Sequence, residues 1–166
     1  MLKRKIDRYL EDWKASVDKK PLIVKGARQV GKTASIRYFG EKYYKYIVEI
    51  NFALQPKYKQ IFADGYEVDS IIKNITLLNP TLVFVPHETL LFFDELQEYP
   101  DCATSLKSFK QDGRYDVICS GSLMGLYYQQ IESNSVGYKT DYEMYSLDFE
   151  EFLWAKNYDE HFIDDL

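Results

Sequence analysis

The stretch PLIVKGARQVGKTASI, residues 21–36, admits few folds. Four apolar residues, two of them β-branched, run into a glycine and then into Gly-Lys-Thr. Residues 26–33, GARQVGKT, fit G-x-x-x-x-G-K-[ST] without deviation. At ordinary glycine frequency such a match arises by chance in roughly one chain of this length in two hundred. The pattern requires a strand before it and a helix after it. PLIVK at 21–25 reads as a buried strand, and a helix is expected from about Lys32 to Tyr43. The backbone from Gly26 through Ala27, Arg28, Gln29 and Val30 to Gly31 would curl with N–H groups turned inward, at φ values that a Cβ penalises at both glycines. The following helix, through Ala34, would present its unpaired N–H groups and positive dipole end to phosphate. Lys32 is expected to meet the β- and γ-phosphates, and Thr33 to offer its hydroxyl to Mg²⁺.

The rest of the chain alternates the two periodicities. Ile6, Leu10, Trp13 and Val17 stand at helical spacing over residues 3–17. YIVEINF (46–52) reads as a second strand and VDSIIKNITLL (68–78) as a helix with Val68, Ile71, Ile72, Ile75 and Leu78 on one side. TLLFFDE (89–95) is a third strand, CATSLKSFKQ (102–111) a helix capped by Asp101, and YDVICSGS (115–122) a fourth strand. A fifth strand is expected at 141–147, followed by a helix, FEEFLWAKN, capped by Asp148 and Glu151. Strands apolar on both faces and separated by helices of ten or more residues imply a doubly wound α/β fold with a parallel sheet covered on two sides. Ligands in such sheets bind beyond the carboxyl ends of the strands.

The unusual residues gather at those ends. LLFFDE (90–95) would lie beside the first strand and close on two carboxylates, Asp94 for Mg²⁺ and Glu95 as general base for an attacking water. ICSGS ends the fourth strand, where Ser120 and Ser122 either touch the γ-phosphate or form a turn that caps the next helix, LMGLYYQQ. Tyr9 and Trp13 belong either to the core or beside an adenine ring, and core packing is the favoured assignment. His87 and His161 lack companions at ligand spacing and are assigned to surface or loop.

Composition bounds the rest. The chain has 166 residues, 46% of them hydrophobic, enough for one domain with a core. Its net charge of −5 is unevenly spread: residues 1–32 hold ten Lys/Arg against four Asp/Glu, the remainder eleven against twenty-two. A basic end carrying the glycine loop suits an anionic ligand. The acidic remainder argues against a broad nucleic-acid surface. No apolar run is long enough to span a membrane. Cys102 and Cys119 are far apart in the sequence and lack C-x-x-C spacing, which points to a reducing, cytoplasmic setting.

KPLIVKGARQVGKT, TLLFFDELQEYPDCATSLKSFKQD, VICSGSLMGL and DYEMYSLDFEEFLWAKNY together resemble the prokaryotic ATPases of the AAA+ superfamily with the AAA_14/DUF4143 architecture. The resemblance covers nearly the whole chain. It implies a P-loop NTPase domain of AAA+/ASCE type: a three-layer α/β/α sandwich around a mainly parallel five-stranded sheet. It also implies ATP and Mg²⁺ as cofactors, Lys32 and Thr33 in the phosphate loop, Asp94 and Glu95 as the metal and water-activating pair, and a serine-bearing strand end at 120–122. Residues 1–166 would form one ATPase domain, with a helical lid and a C-terminal domain beyond it. Where many relatives carry Gly-Arg before the last strand, this chain has Tyr138-Lys139, so Lys139 is the substitute candidate for an arginine near the γ-phosphate.

Three functions follow from these residues. The first is a Mg²⁺-dependent ATPase core, slow in isolation because an arginine finger can matter by about 10³ or more, with ATP/ADP, its own C-terminal domain and a homo-oligomer as partners. The second is a nucleotide-binding switch with negligible hydrolysis. The third is a small-molecule kinase, against which Glu95 speaks.

Overall fold

The computed structural model describes residues 4–27, 30–122, 126–145 and 149–156. Its elements are α1 (Lys5–Ala15), β1 (Leu22–Lys25), α2 (Lys32–Tyr43), β2 (Tyr46–Asn51), α3 (Val68–Leu78), β3 (Thr89–Asp94), α4 (Leu106–Asp112), β4 (Asp116–Gly121), α5 (Leu126–Ser135), β5 (Thr140–Glu143) and α6 (Phe149–Ala155). Short 3₁₀ turns occupy Pro56–Phe62, Leu96–Glu98 and Pro100–Ser105. Among the described residues no helix is long and apolar enough to cross a membrane.

The five strands form one sheet in the order β2-β3-β4-β1-β5, and every neighbouring pair is parallel. Side chains alternate across a strand, so each apolar strand feeds two cores. Leu90 and Phe92 of β3, with Leu22, Val24 and Ile118, pack under Ile6, Leu10 and Trp13 of α1 and Ile36 and Phe39 of α2. Leu91 and Phe93, with Ile23, Val117 and Cys119, meet Ile71 and Ile75 of α3, Leu106 and Phe109 of α4 and Ile131 of α5. All six residues of β3 are buried. The result is the three-layer α/β/α sandwich expected of a P-loop NTPase of AAA+ type.

Several expectations need correction. β3 does not lie beside β1: β4 stands between them, with Cys119 in register with both Ile23 and Phe93. Apolar patterning identifies a buried strand but carries no information about its neighbour. α1 ends at Ala15, and Val17 is fully exposed. Trp13 is buried, its indole N–H donating to the Lys20 carbonyl at 2.8 Å, and Tyr9 lies against Tyr142 with ring centroids 4.4 Å apart. Asp101 does not cap a helix but sits inside a 3₁₀ turn, accepting from Gln130 at 3.3 Å. β5 is the short edge strand Thr140–Glu143 instead of 141–147. Asp148 and His161 fall outside the described residues, while His87 is exposed in a turn at φ 66°. Cys102 and Cys119, distant in sequence, lie together in the core as free thiols. Burial, and then the neighbouring Cys119 thiol, push the Cys102 thiol well above its ordinary pKa.

Candidate functional site

The ends of β1, β4 and β3 bring the chemistry together. In the parallel register Phe93 faces Cys119 and Val24 faces Ser120, so Asp94 and Ser120 fall level at the carboxyl edge of the sheet. Asp94 is nearly inaccessible, at 3% exposure. Its Oδ1 accepts the Ser120 hydroxyl at 2.6 Å and the Glu95 backbone N–H at 2.8 Å, and its Oδ2 accepts the Thr33 hydroxyl at 2.9 Å. Two strands and the first turn of α2 therefore converge on one carboxylate.

The loop from Gly26 to Gly31 leads into α2, of which Lys32 is the first residue. Gly31 has φ +93°, a left-handed backbone that favours glycine. Gly26 needs glycine for another reason. Its φ is not positive, but a Cβ there would stand 2.3 Å from the Met144 carbonyl oxygen, in the segment that follows β5. That neighbour is backbone and has no rotamer to escape into. Gly26→Ala should therefore lower stability by about 1–3 kcal/mol, the usual cost of overpacking. Thermal melting of the variant should show a drop of roughly 2–4 °C per kcal/mol, and an unchanged midpoint would contradict the close approach.

Lys32 is only 8% exposed. Its Nζ donates to the carbonyls of Gly26 at 2.9 Å and Ala27 at 2.6 Å. Burial lowers its pKa, and the Glu95 and Asp94 carboxylates oppose that shift. The first N–H groups of α2, at Lys32, Thr33 and Ala34, lack intrahelical partners by the geometry of any helix start. Arg28 and Gln29 of the same loop fall outside the described residues.

Lys32, Thr33, Asp94, Glu95 and Ser122 all line one open cleft of about 450 Å³. Ser120 does not. It is fully buried and its hydroxyl is engaged by Asp94, so of the two candidate serines only Ser122 faces the cleft. The turn that would cap the helix after β4 includes residues 123–125, outside the described residues. Glu95 takes the left-handed conformation, φ 59°, uncommon for a residue with a Cβ. Its carboxylate accepts the Gln97 side-chain amide, and the Gln97 Oε1 in turn accepts the Ser122 backbone N–H at 3.0 Å. A Cβ on Gly121 would come within 2.4 Å of that same oxygen. Gln97 thus ties the end of β3 to the end of β4.

Lys139 takes no part. It precedes β5, at the end of the sheet opposite the cleft, and its ammonium pairs with Glu132 at 2.7 Å and Asp141 at 2.5 Å. Burial alone would lower its pKa, but the two carboxylates outweigh it and the net shift is upward. An arginine substitute is therefore not supplied by this residue.

Sequence reasoning missed Gln97, Asn51, Leu54, Glu98 and Arg4. Asn51 ends β2 at the cleft, and its Oδ1 accepts the backbone N–H groups of Ala53 and Leu54, both at 2.9 Å, which shapes that wall. Leu54 and Glu98 line the same cleft. Gln97 was legible in part, since a polar residue two positions after an Asp-Glu strand end stands within reach of it. Arg4 carried no signal at all: its partners lie 26, 141 and 147 residues away.

A parallel sheet with order β2-β3-β4-β1-β5, a glycine loop between β1 and a helix, and a carboxylate two strands away define an ATPase-type nucleotide-binding domain of the AAA+ class. Residues 18–153 match the family AAA_14, described as an AAA domain, and the chain belongs to that family. Solved structures share the fold. C. elegans PCH-2 superposes with a TM-score of 0.51 at 11% identity, over 85% of this chain and 41% of that one. A DNA replication initiation factor gives 0.50 at 15% identity, over 98% and 53%. Drosophila ORC bound to DNA gives 0.56 at 13% identity, over 89% and 44%. The chain spans about half, or less, of the length of these structures. No curated protein matches by sequence.

Proposed function

We propose that this chain is the core of a Mg²⁺-dependent ATPase, binding ATP at the Gly26–Ala34 loop and hydrolysing it with Glu95 as general base. The observation that carries it is the convergence of Thr33, Ser120 and Glu95 on Asp94 at the floor of a cleft that Lys32 also lines. The donor set fits the expected ligands: a hydroxyl and a carboxylate oxygen side by side suit Mg²⁺, which is usually held by one or two carboxylates while keeping waters and phosphate oxygens. Thr33 and Asp94 would hold the ion, which when bound draws charge from the phosphate oxygens.

The remaining work falls to the chain. Lys32 donates to the carbonyls of Gly26 and Ala27 with two of its three ammonium N–H groups and would offer the third, or turn, toward an anion. The N–H groups at the start of α2 face the same point. Ser120 keeps Asp94 in one orientation and is a positioning residue. Glu95 takes the proton from the attacking water, and Ser122 is the candidate for contact with the γ-phosphate. Phosphoryl transfer needs positioning and charge neutralisation more than covalent chemistry, and these residues supply that. A domain after residue 166, implied by the DUF4143 resemblance to prokaryotic proteins, would be the part that hydrolysis moves. A cytoplasmic setting belongs to the same proposal, supported by two free buried thiols.

Mixed with ATP, the protein should release inorganic phosphate slowly in Mg²⁺, and the release should stop on chelation by EDTA. Release that is indifferent to chelation, or a phosphorylated metabolite in place of free phosphate, would count against an ATPase. One observation favours the alternative of a switch with negligible hydrolysis: the Glu95 carboxylate is engaged by Gln97. In that case nucleotide binds at the same loop and phosphate release stays at background.

A further inference from the structure

Arg4 has a placement that the ATPase reading does not use. It immediately precedes α1, where the Asp7 carboxylate accepts its backbone N–H at 2.9 Å. Its side chain, 11% exposed, reaches three separate parts of the chain. Nη1 donates at 2.9 Å to the carbonyl of Val30, inside the phosphate loop. Nη2 donates at 2.8 Å to the carbonyl of Tyr145, beyond β5. Nε donates at 2.8 Å to Glu151 Oε2 on α6. Glu151 is 5% exposed and also accepts the Lys5 backbone N–H at 2.8 Å. Only the planar, five-donor guanidinium can hold three acceptors in fixed directions, and a lysine offers a point charge instead.

We infer that Arg4 is a positioning residue that couples the phosphate loop to the docking of α6, so that nucleotide in the loop and the order of α6 bias one another. The inference rests on the nucleotide site proposed above. Two physical points carry it. First, α6 has seven residues, far fewer than an isolated helix needs to persist in water, so its position depends on tertiary contacts such as Arg4–Glu151. Second, Val30 immediately precedes Gly31 and the start of α2, where an anion would sit, and a Cβ on Gly31 would stand 3.1 Å from Arg4 Nη1, so the guanidinium packs against the turn that binding would adjust. The same guanidinium holds Val30 and pairs with the buried Glu151, and weakening a buried ion pair is costly. A shift at one end is therefore felt at the other. Coupling between binding events is reciprocal, so whatever docks or releases α6 changes the loop's affinity.

The test is hydrogen exchange by mass spectrometry, with and without a non-hydrolysable ATP analogue and Mg²⁺, on the wild-type protein, Arg4→Lys and Glu151→Gln. In the wild type the analogue should slow exchange in residues 30–34 and change it in residues 149–156 by about fivefold or more. In both variants the loop should still respond while residues 149–156 no longer do. Each variant should change the affinity for the analogue by about fivefold or more, and the double variant should change it no further than the larger single effect, because two residues in one chain of contacts are not additive. A wild-type loop that responds while residues 149–156 do not overturns the coupling and leaves the nucleotide site standing. So does a full response of residues 149–156 in Glu151→Gln, the variant that preserves shape and serves if Arg4→Lys folds poorly. A wild-type loop that ignores the analogue overturns the nucleotide site and the coupling together.

Discussion

Lys32→Ala should abolish measurable nucleotide binding while leaving the fold in place. The ammonium is held by two backbone carbonyls at the mouth of the loop, so the variant removes a cation beside the position proposed for phosphate. Hydrogen bonds to charged groups contribute about 1.5–3 kcal/mol each. With more than one phosphate oxygen in reach, the loss should be about 3 kcal/mol or more, or at least about a hundredfold in affinity. Stability should change far less. The substitution removes a lysine whose burial is unfavourable, as its lowered pKa records, and in exchange leaves two carbonyls to find water. Calorimetric titration with the ATP analogue and a thermal melt separate the two effects. If the variant binds like the parent, Lys32 is not at the phosphate site.

The same lowered pKa has a consequence for pH. In the empty protein Lys32 loses its proton at lower pH than an ordinary lysine, whereas an anion beside it favours the charged form. The nucleotide complex therefore binds more protons than the empty protein in the alkaline range. By linkage, affinity is greatest below the lowered pKa and falls as pH rises through it. A calorimetric series taken upward from neutral pH should show proton uptake growing with binding, and an affinity independent of pH would remove Lys32 from the contact.

What the sequence revealed follows from what each signal physically encodes. α2 and α3 are bounded at Lys32–Tyr43 and Val68–Leu78 as expected, because an apolar stripe and a helix start are local properties of the chain. β3 was equally plain, since its middle four residues, buried on both faces, form an unbroken apolar run. Edge strand β5, by contrast, has no fully buried residue, and so neither its length nor its ends left a pattern. Val17 kept helical spacing after the helix had ended, and a single apolar residue says nothing about whether it is covered. Strand order was misjudged because it is decided by long-range packing, not by any one segment. At the site, the residues proposed for the chemistry were visible: Lys32, Thr33, Asp94 and Glu95 meet in one cleft. The residues that hold them were not. Ser120 appeared as a ligand candidate and is engaged by Asp94. Met144 requires a glycine at position 26 only through its backbone oxygen, and no sequence pattern can encode that.

Glu95→Gln should separate binding from chemistry. The glutamine is nearly isosteric, keeps the same Cβ at the left-handed backbone position, and retains an amide oxygen to accept from Gln97. The link from Gln97 Oε1 to the Ser122 backbone N–H should survive, so the strand ends should stay in place. Only proton acceptance is lost. General-base catalysis contributes about 10²–10⁴-fold, and hydrolysis should fall by about that factor while affinity for ATP is unchanged. Glu95→Ala is a poorer probe, because it also leaves the Gln97 amide without its carboxylate and disturbs Ser122. Single-turnover phosphate release at saturating Mg²⁺ and ATP measures the effect directly, provided binding is verified on the same sample. Undiminished turnover in Glu95→Gln would remove Glu95 from the mechanism. The converse substitution, Gln97→Leu, frees the carboxylate from its amide partner. If the Gln97 contact restrains catalysis, that variant should hydrolyse faster than the parent. If the contact serves instead to aim Glu95, or if the acceptor it supplies to the Ser122 backbone N–H is needed, the variant should hydrolyse more slowly, and the sign of the change decides between an ATPase held back by Gln97 and one that depends on it.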